Sequence, residues 1–206
     1  VHCVTMGPKN LKISGDIGGA TSRYIEDELG GDAVAAWTSG AAGDQNPIYQ
    51  PGDNYKYVAA LGEILGIEAL RVAENLRMSP VMRIEAAQQV LSLPGRRTEP
   101  SKYQEDGNYT ITDADPASVR LSVLMLNHVA LCGVTGEVLT GIGLRLKAES
   151  PFNNTIMVTH CNGDDTGYIP DDASYAIMSY EIASTRVKPG AEGLIIDAFV
   201  DMLDKY

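Results

Sequence analysis

An apolar run, Asp32-Ala33-Val34-Ala35-Ala36-Trp37-Thr38, empties into Gly40-Ala41-Ala42-Gly43-Asp44 and continues through Gln45-Asn46-Pro47. The run reads as a buried strand. The loop is built of small residues that let backbone approach backbone or ligand closely, with Asp44 at its tip and Pro47 fixing its exit. Ile13-Ser14-Gly15-Asp16-Ile17-Gly18-Gly19 repeats the design, an acid in a Gly-rich turn followed by a helix start near Thr21 and Ser22. Either loop alone could be an ordinary turn. Two strand-end acids in such turns predict the rim of an active site in an α/β fold.

The rest of the chain supplies the layers. The spacing of Val58, Leu61, Leu65, Ala69, Val72 and Leu76 predicts a helix over residues 54–77 with a stripe able to cover a sheet face. Residues 82–93 read as a strand ending at Pro94-Gly95, and residues 96–116 as a polar surface excursion. Residues 119–134 read as a hairpin turning at Asn127-His128 and feeding Thr135-Gly136-Glu137. Leu139, Ile142 and Leu146 mark a short helix, residues 155–159 a strand, and residues 173–184 and 191–203 the closing helices. The alternation predicts an α/β domain, a layered sheet with flanking helices.

With 206 residues, 44% of them hydrophobic, the chain can bury a substantial core. Its formal net charge of −11 argues against nucleic acid as a partner. No stretch is apolar for the roughly 20 residues that a membrane span needs. Cys3, Cys132 and Cys161 form no CxxC pair, sit in apolar contexts and read as free thiols, so they fix no compartment. Val1-His2-Cys3-Val4 reads as a strand already in progress, as expected of a processed or separately encoded piece.

The residues able to carry chemistry have plainer readings too. His2 could be structural, and Glu137 a helix-capping acid. Tyr168 could be a packing residue at a loop exit, and His128 a turn residue. His160 ends a strand beside Asn162-Gly163, where it could face a pocket. A histidine, a glutamate and one more oxygen donor make a workable zinc set, because Zn²⁺ accepts nitrogen and carboxylate ligands and leaves a position for water. Spacing alone does not single the set out: HExxH, HxH and CxxC are all missing from the sequence. So are a Gly-x-Ser-x-Gly elbow and a GxxxxGK[ST] loop, and the acid within Gly15–Gly19 would repel a pyrophosphate.

His2-Cys-Val-Thr-Met6, Ile13-Ser-Gly-Asp16, Gly40-Ala-Ala-Gly-Asp44-Gln-Asn-Pro47, Thr135-Gly-Glu137, Asn162-Gly163, Gly167-Tyr168-Ile-Pro170, Ser174-Tyr175 and Ser179-Tyr180-Glu181, in this order, span nearly the whole chain. Together they resemble the neutral/alkaline (non-lysosomal) ceramidase family of zinc-dependent amide hydrolases, closest to its short bacterial members. The resemblance implies zinc ligands at His2, Glu137 and Tyr168, and an oxyanion-stabilising hydroxyl at Tyr180. It places Asp44 and Asn46 in the pocket, and Asp16 and His160 as groups that orient ligands. The family's His-x-His segment has no counterpart here. The chain is therefore expected to be the C-terminal portion, or a processed subunit, of a ceramidase-like catalytic domain, with a further zinc histidine on a second chain. Asn46 stands where ceramidases carry a serine and cannot act as nucleophile or acid/base, which points away from ceramide as substrate. The reading is a zinc-dependent hydrolase of a carbon–nitrogen bond; a non-catalytic scaffold subunit and an ester or lactone hydrolase are the alternatives.

Overall fold

The computed structural model describes residues 1–7, 9–48, 54–77, 79–100, 103–104, 107–163 and 166–206. Parts of the expected surface excursion, residues 101–102 and 105–106, and Asp164-Asp165 of the loop before Tyr168, lie outside them. The chain divides into two units, one of residues 1–38 and 46–80, the other of residues 39–45 and 81–206.

The first unit is a helix pair, α1 (Asp16–Leu29) and α2 (Tyr55–Ala73). Asn54 caps α2, its side chain accepting from the Tyr57 amide at 3.3 Å. The face that α2 buries is not the expected stripe. Val58, Gly62 and Gly66 are buried, whereas Leu65, Val72 and Leu76 are exposed. The reason is close helix approach: a Cβ on Gly62 would lie 2.5 Å from that of Ala20, and one on Gly66 would meet the Tyr24 ring. Small residues therefore define the seam and leave the large ones outside. Helix α1 begins at Asp16, five residues ahead of the expected start at Thr21.

Two expected strands are absent from this unit. Residues 1–4 and 32–38 are irregular, and Val34 is almost wholly exposed. Apolar content alone does not make a strand without a partner edge, and Gly30 and Gly31, both at positive φ, turn the backbone just before the second segment. Trp37 instead covers Gly18, where a Cβ would come within 3.0 Å of the indole.

The second unit is the layered α/β body. Its sheet has the order β1-β2-β3-β5, comprising β1 (Ile84–Glu99), β2 (Thr110–Leu126), β3 (Val129–Val134) and β5 (Asn154–Val158). The hairpin turns at Asn127 and His128 as expected, and β3 and β5 run parallel. A parallel pair needs a crossover. Strand β4 (Glu137–Val138) and α3 (Thr140–Glu149) provide it. The alternation of β2 places Val119, Leu121, Val123 and Met125 inward. They pack with Ile142 and Leu146 of α3 and with Ile195, Phe199 and Met202 of α5 (Ala191–Leu203). The helix expected over residues 173–184 is broken into a 3₁₀ turn (Asp172–Ala176) and α4 (Tyr180–Ser184), each capped by its own residue, Asp171 and Ser179.

Strand β1 does not stop at Pro94-Gly95 but runs through it. Leu93 pairs with Ala117 and Gly95 with Ala114, so Pro94 faces both Asp115 and Pro116. The extra residue of this bulge lies on β2. Past it, Arg96 and Thr98 are buried and Arg97 is exposed. Gly95 is required there, since a Cβ would collide with the Asp115 carbonyl. Gly95→Ala is expected to destabilise the protein by about 3 kcal/mol, the upper range of overpacking costs, as measured by chemical denaturation.

Candidate functional site

In the second unit, β4 pairs in parallel with β6 (Tyr168–Ile169), and Glu137 lies directly beside Tyr168. The Glu137 amide donates to the Gly167 carbonyl at 2.9 Å, and the Leu139 amide to Ile169 at 3.1 Å. Val138 and Ile169 are fully buried and anchor the pair, leaving Glu137 and Tyr168 half-exposed. The loops around them are bent by residues at positive φ: Gly136, His160, Asn162, Gly163 and Gly167. Glycines take that conformation freely, whereas at His160 (φ +55°) it is less common for a residue with a side chain. The His160 amide donates to the Gly136 carbonyl at 3.1 Å. This carries His160 to Glu137, with ligand atoms of the two side chains within 4.8 Å of each other. Both line a cavity of about 200 Å³ with Cys161, Thr166 and Gly167.

Burial, followed by the hydrogen bond to Glu137, pushes the pKa of Tyr168 well above that of an ordinary phenol. Its hydroxyl is thus protonated at neutral pH and donates to the Glu137 carboxylate. The Tyr180 ring stands edge-on to that of Tyr168, centroids 5.7 Å apart at 78°. Tyr180 is 53% exposed, at the start of α4, so its hydroxyl is accessible. Thr185 fixes the strand from behind, its hydroxyl donating to the Tyr168 carbonyl at 2.7 Å.

The other expected residues have different surroundings. In the first unit, Asp16 is buried and accepts from the Thr5, Met6 and Ile17 amides at 2.7–3.0 Å, tying the preceding segment to the start of α1. His2 is half-buried and Asn46 exposed in that unit. Asp44, in the second unit, accepts from the Thr140 amide at 2.9 Å and the Thr140 hydroxyl at 2.6 Å, capping α3 where the cap residue Leu139 has no side-chain acceptor. The small residues of the Gly40–Asp44 loop serve that docking. The Gly43 amide donates to the Val138 carbonyl at 2.8 Å, and a Cβ there would come within 2.9 Å of the Glu137 carbonyl oxygen. Sequence reasoning missed Thr140, Thr185 and Arg96. The sequence carries no local signal for Arg96, which stands beside Arg97, Thr98 and Glu99 in a polar stretch.

No family model and no curated protein sequence matches the chain. Solved structures do. The neutral ceramidase of Pseudomonas aeruginosa superposes with a TM-score of 0.78 at 19% identity, over 98% of this chain and 42% of that one. A ceramidase complexed with C2 superposes with a TM-score of 0.77 at 17% identity, over 98% of this chain and 44% of that one. The chain has the fold of part of a ceramidase and spans less than half the length of these neighbours.

Burial acts to raise the pKa of Asp44, but the hydrogen bonds from Thr140 outweigh it and hold the carboxyl below its usual value. A depressed carboxyl pKa stabilises the fold above the unfolded value and loses that effect as pH falls through the folded one. Asp44→Ala is therefore expected to cost about 1 kcal/mol at pH 7, as for a lost helix cap. Denaturation curves should show the gap from wild type closing from about pH 4 downward.

Proposed function

We propose that the chain is the greater part of a metal site in a zinc-dependent hydrolase of the ceramidase family, cleaving a carbon–nitrogen bond in a substrate other than ceramide. One observation carries the reading: the β4–β6 pairing sets Glu137 against Tyr168 and within ligand distance of His160. A carboxylate, a phenol and an imidazole are donors that zinc accepts. Glu137 and Tyr168 would hold the metal, His2 is the further ligand that the family resemblance assigns, and His160 would bind or orient. The histidine of the family's upstream segment would come from polypeptide outside these 206 residues.

Bound zinc would supply Lewis acidity and a water acidified to a pKa of about 7. The chain's own groups do the rest. In the metal-free state the Glu137 carboxylate accepts a hydrogen bond from the protonated Tyr168 hydroxyl, which keeps the two donors together. Tyr180, accessible beside Tyr168, donates its hydroxyl hydrogen to the carbonyl oxygen as negative charge develops there. Asn46, the resemblance's pocket residue, orients the substrate by hydrogen bonding.

Zinc content and hydrolysis of a panel of acyl p-nitroanilides test the proposal in the protein together with any partner chain that co-purifies. Wild type should bind one zinc, and Glu137→Ala should weaken binding at least ~100-fold, the loss expected when a ligand or its support is removed. Tyr180→Phe should keep the metal and lose about 10²–10³ in kcat, as for one oxyanion donor. Unchanged zinc content in Glu137→Ala would overturn the ligand assignment.

A further inference from the structure

A cavity of about 1010 Å³ in the second unit has no part in the proposed metal site. It lies between the bulged end of the β1–β2 pair and residues 183–186, and it shares Thr166 with the smaller cavity beside Glu137. Its buried cation is Arg96, which is 6% exposed. The Arg96 Nη2 donates to the Thr98 hydroxyl at 2.9 Å and to the Ile182 carbonyl at 3.0 Å, both neutral acceptors. The guanidinium carbon lies 5.4 Å from the centre of the Tyr175 ring. Its Nε is buried with no hydrogen-bond partner, and no carboxylate pairs with Arg96 among the described residues. A buried guanidinium without an anion is costly, and the fork of N–H donors matches the oxygens of a carboxylate or phosphate.

The remaining lining suits such a ligand. Ser118 and Ser184 add hydroxyls. Of the charged groups that line the cavity, Arg97 and Glu99 pair with each other at 3.3 Å, and Arg186 has a partner of its own. Asp115 contributes the other carboxylate, and outside the lining Lys188 pairs with Asp113 at 2.7 Å. In a chain of net charge −11, this leaves Arg96 as a cation without a carboxylate partner among the described residues, lining a roomy cleft.

We propose that this cleft binds an oxyanion, a carboxylate or a phosphate carried by a small-molecule ligand, with Arg96 as its principal contact. The site is independent of the metal reading, so it is tested in the metal-free protein in EDTA.

NMR titration with sodium acetate, sodium phosphate and sodium chloride at matched ionic strength measures it. Acetate or phosphate should shift amides of residues 96–98 and 183–186 with saturation, and whichever binds tighter identifies the group. Arg96→Gln should weaken that binding ~10-fold or more, the value of a charge-assisted hydrogen bond. Ser118→Glu places an acid on an exposed lining position, so it should fold normally and abolish binding even if Arg96→Gln does not fold. Glu137→Ala should bind the anion like wild type. Equal, non-saturating responses to all three salts, or wild-type affinity in Ser118→Glu, would overturn the proposal.

Discussion

The approach of the Gly136 backbone to that of Gly167 is the constraint on which the site rests. A Cβ at Gly136 would stand 2.6 Å from the Gly167 carbonyl oxygen, the same oxygen that accepts the Glu137 amide. With φ of +88° and +69°, these glycines let two chain segments meet as strands only two residues long. Such short strands have few hydrogen bonds, and their placement depends on the buried Val138 and Ile169 side chains and on the Thr185 hydroxyl. Core packing thereby fixes the distance between a carboxylate and a phenol that lie 31 positions apart in the sequence.

The same unit uses a second backbone irregularity to place a charge. At the bulge, Asp115 and Pro116 of β2 oppose the single Pro94 of β1, and past it the inward residues of β1 are Arg96 and Thr98. The residues 186–188 then close the outer edge, the Arg96 amide donating to the Arg186 carbonyl and the Lys188 amide to Pro94, each at 2.9 Å. Burial lowers the Arg96 pKa from its ordinary value, the direction expected of a guanidinium removed from water without an anion. Both irregularities border Thr166, so the two cavities of the unit have a wall residue in common.

The Gly40–Asp44 loop shows how a motif can be legible as geometry and ambiguous as chemistry. Its small residues do permit close approach, yet what approaches is the β4 backbone and the start of α3 rather than open space. Asp44 accepts from the amide and hydroxyl of Thr140, a capping role that accounts for the residue without any chemistry. The α2 stripe was misleading for a related reason. Helical periodicity reports which residues share a face, not which face meets a neighbour, and here the meeting face is glycine.

Local pattern determined the sheet hairpin, the crossover helix α3, strand β5 and helix α5, because each has an apolar period matching its own geometry and a turn or cap to end it. It also marked Glu137, His160 and Tyr168 as residues emerging at loop–strand junctions. Their convergence was outside its reach. Pairing across 31 residues, a bulge on β2 opposite Pro94, and a helix cap borrowed from another segment depend on contacts between distant positions. Those contacts exist only once the core has packed, and no local period encodes them.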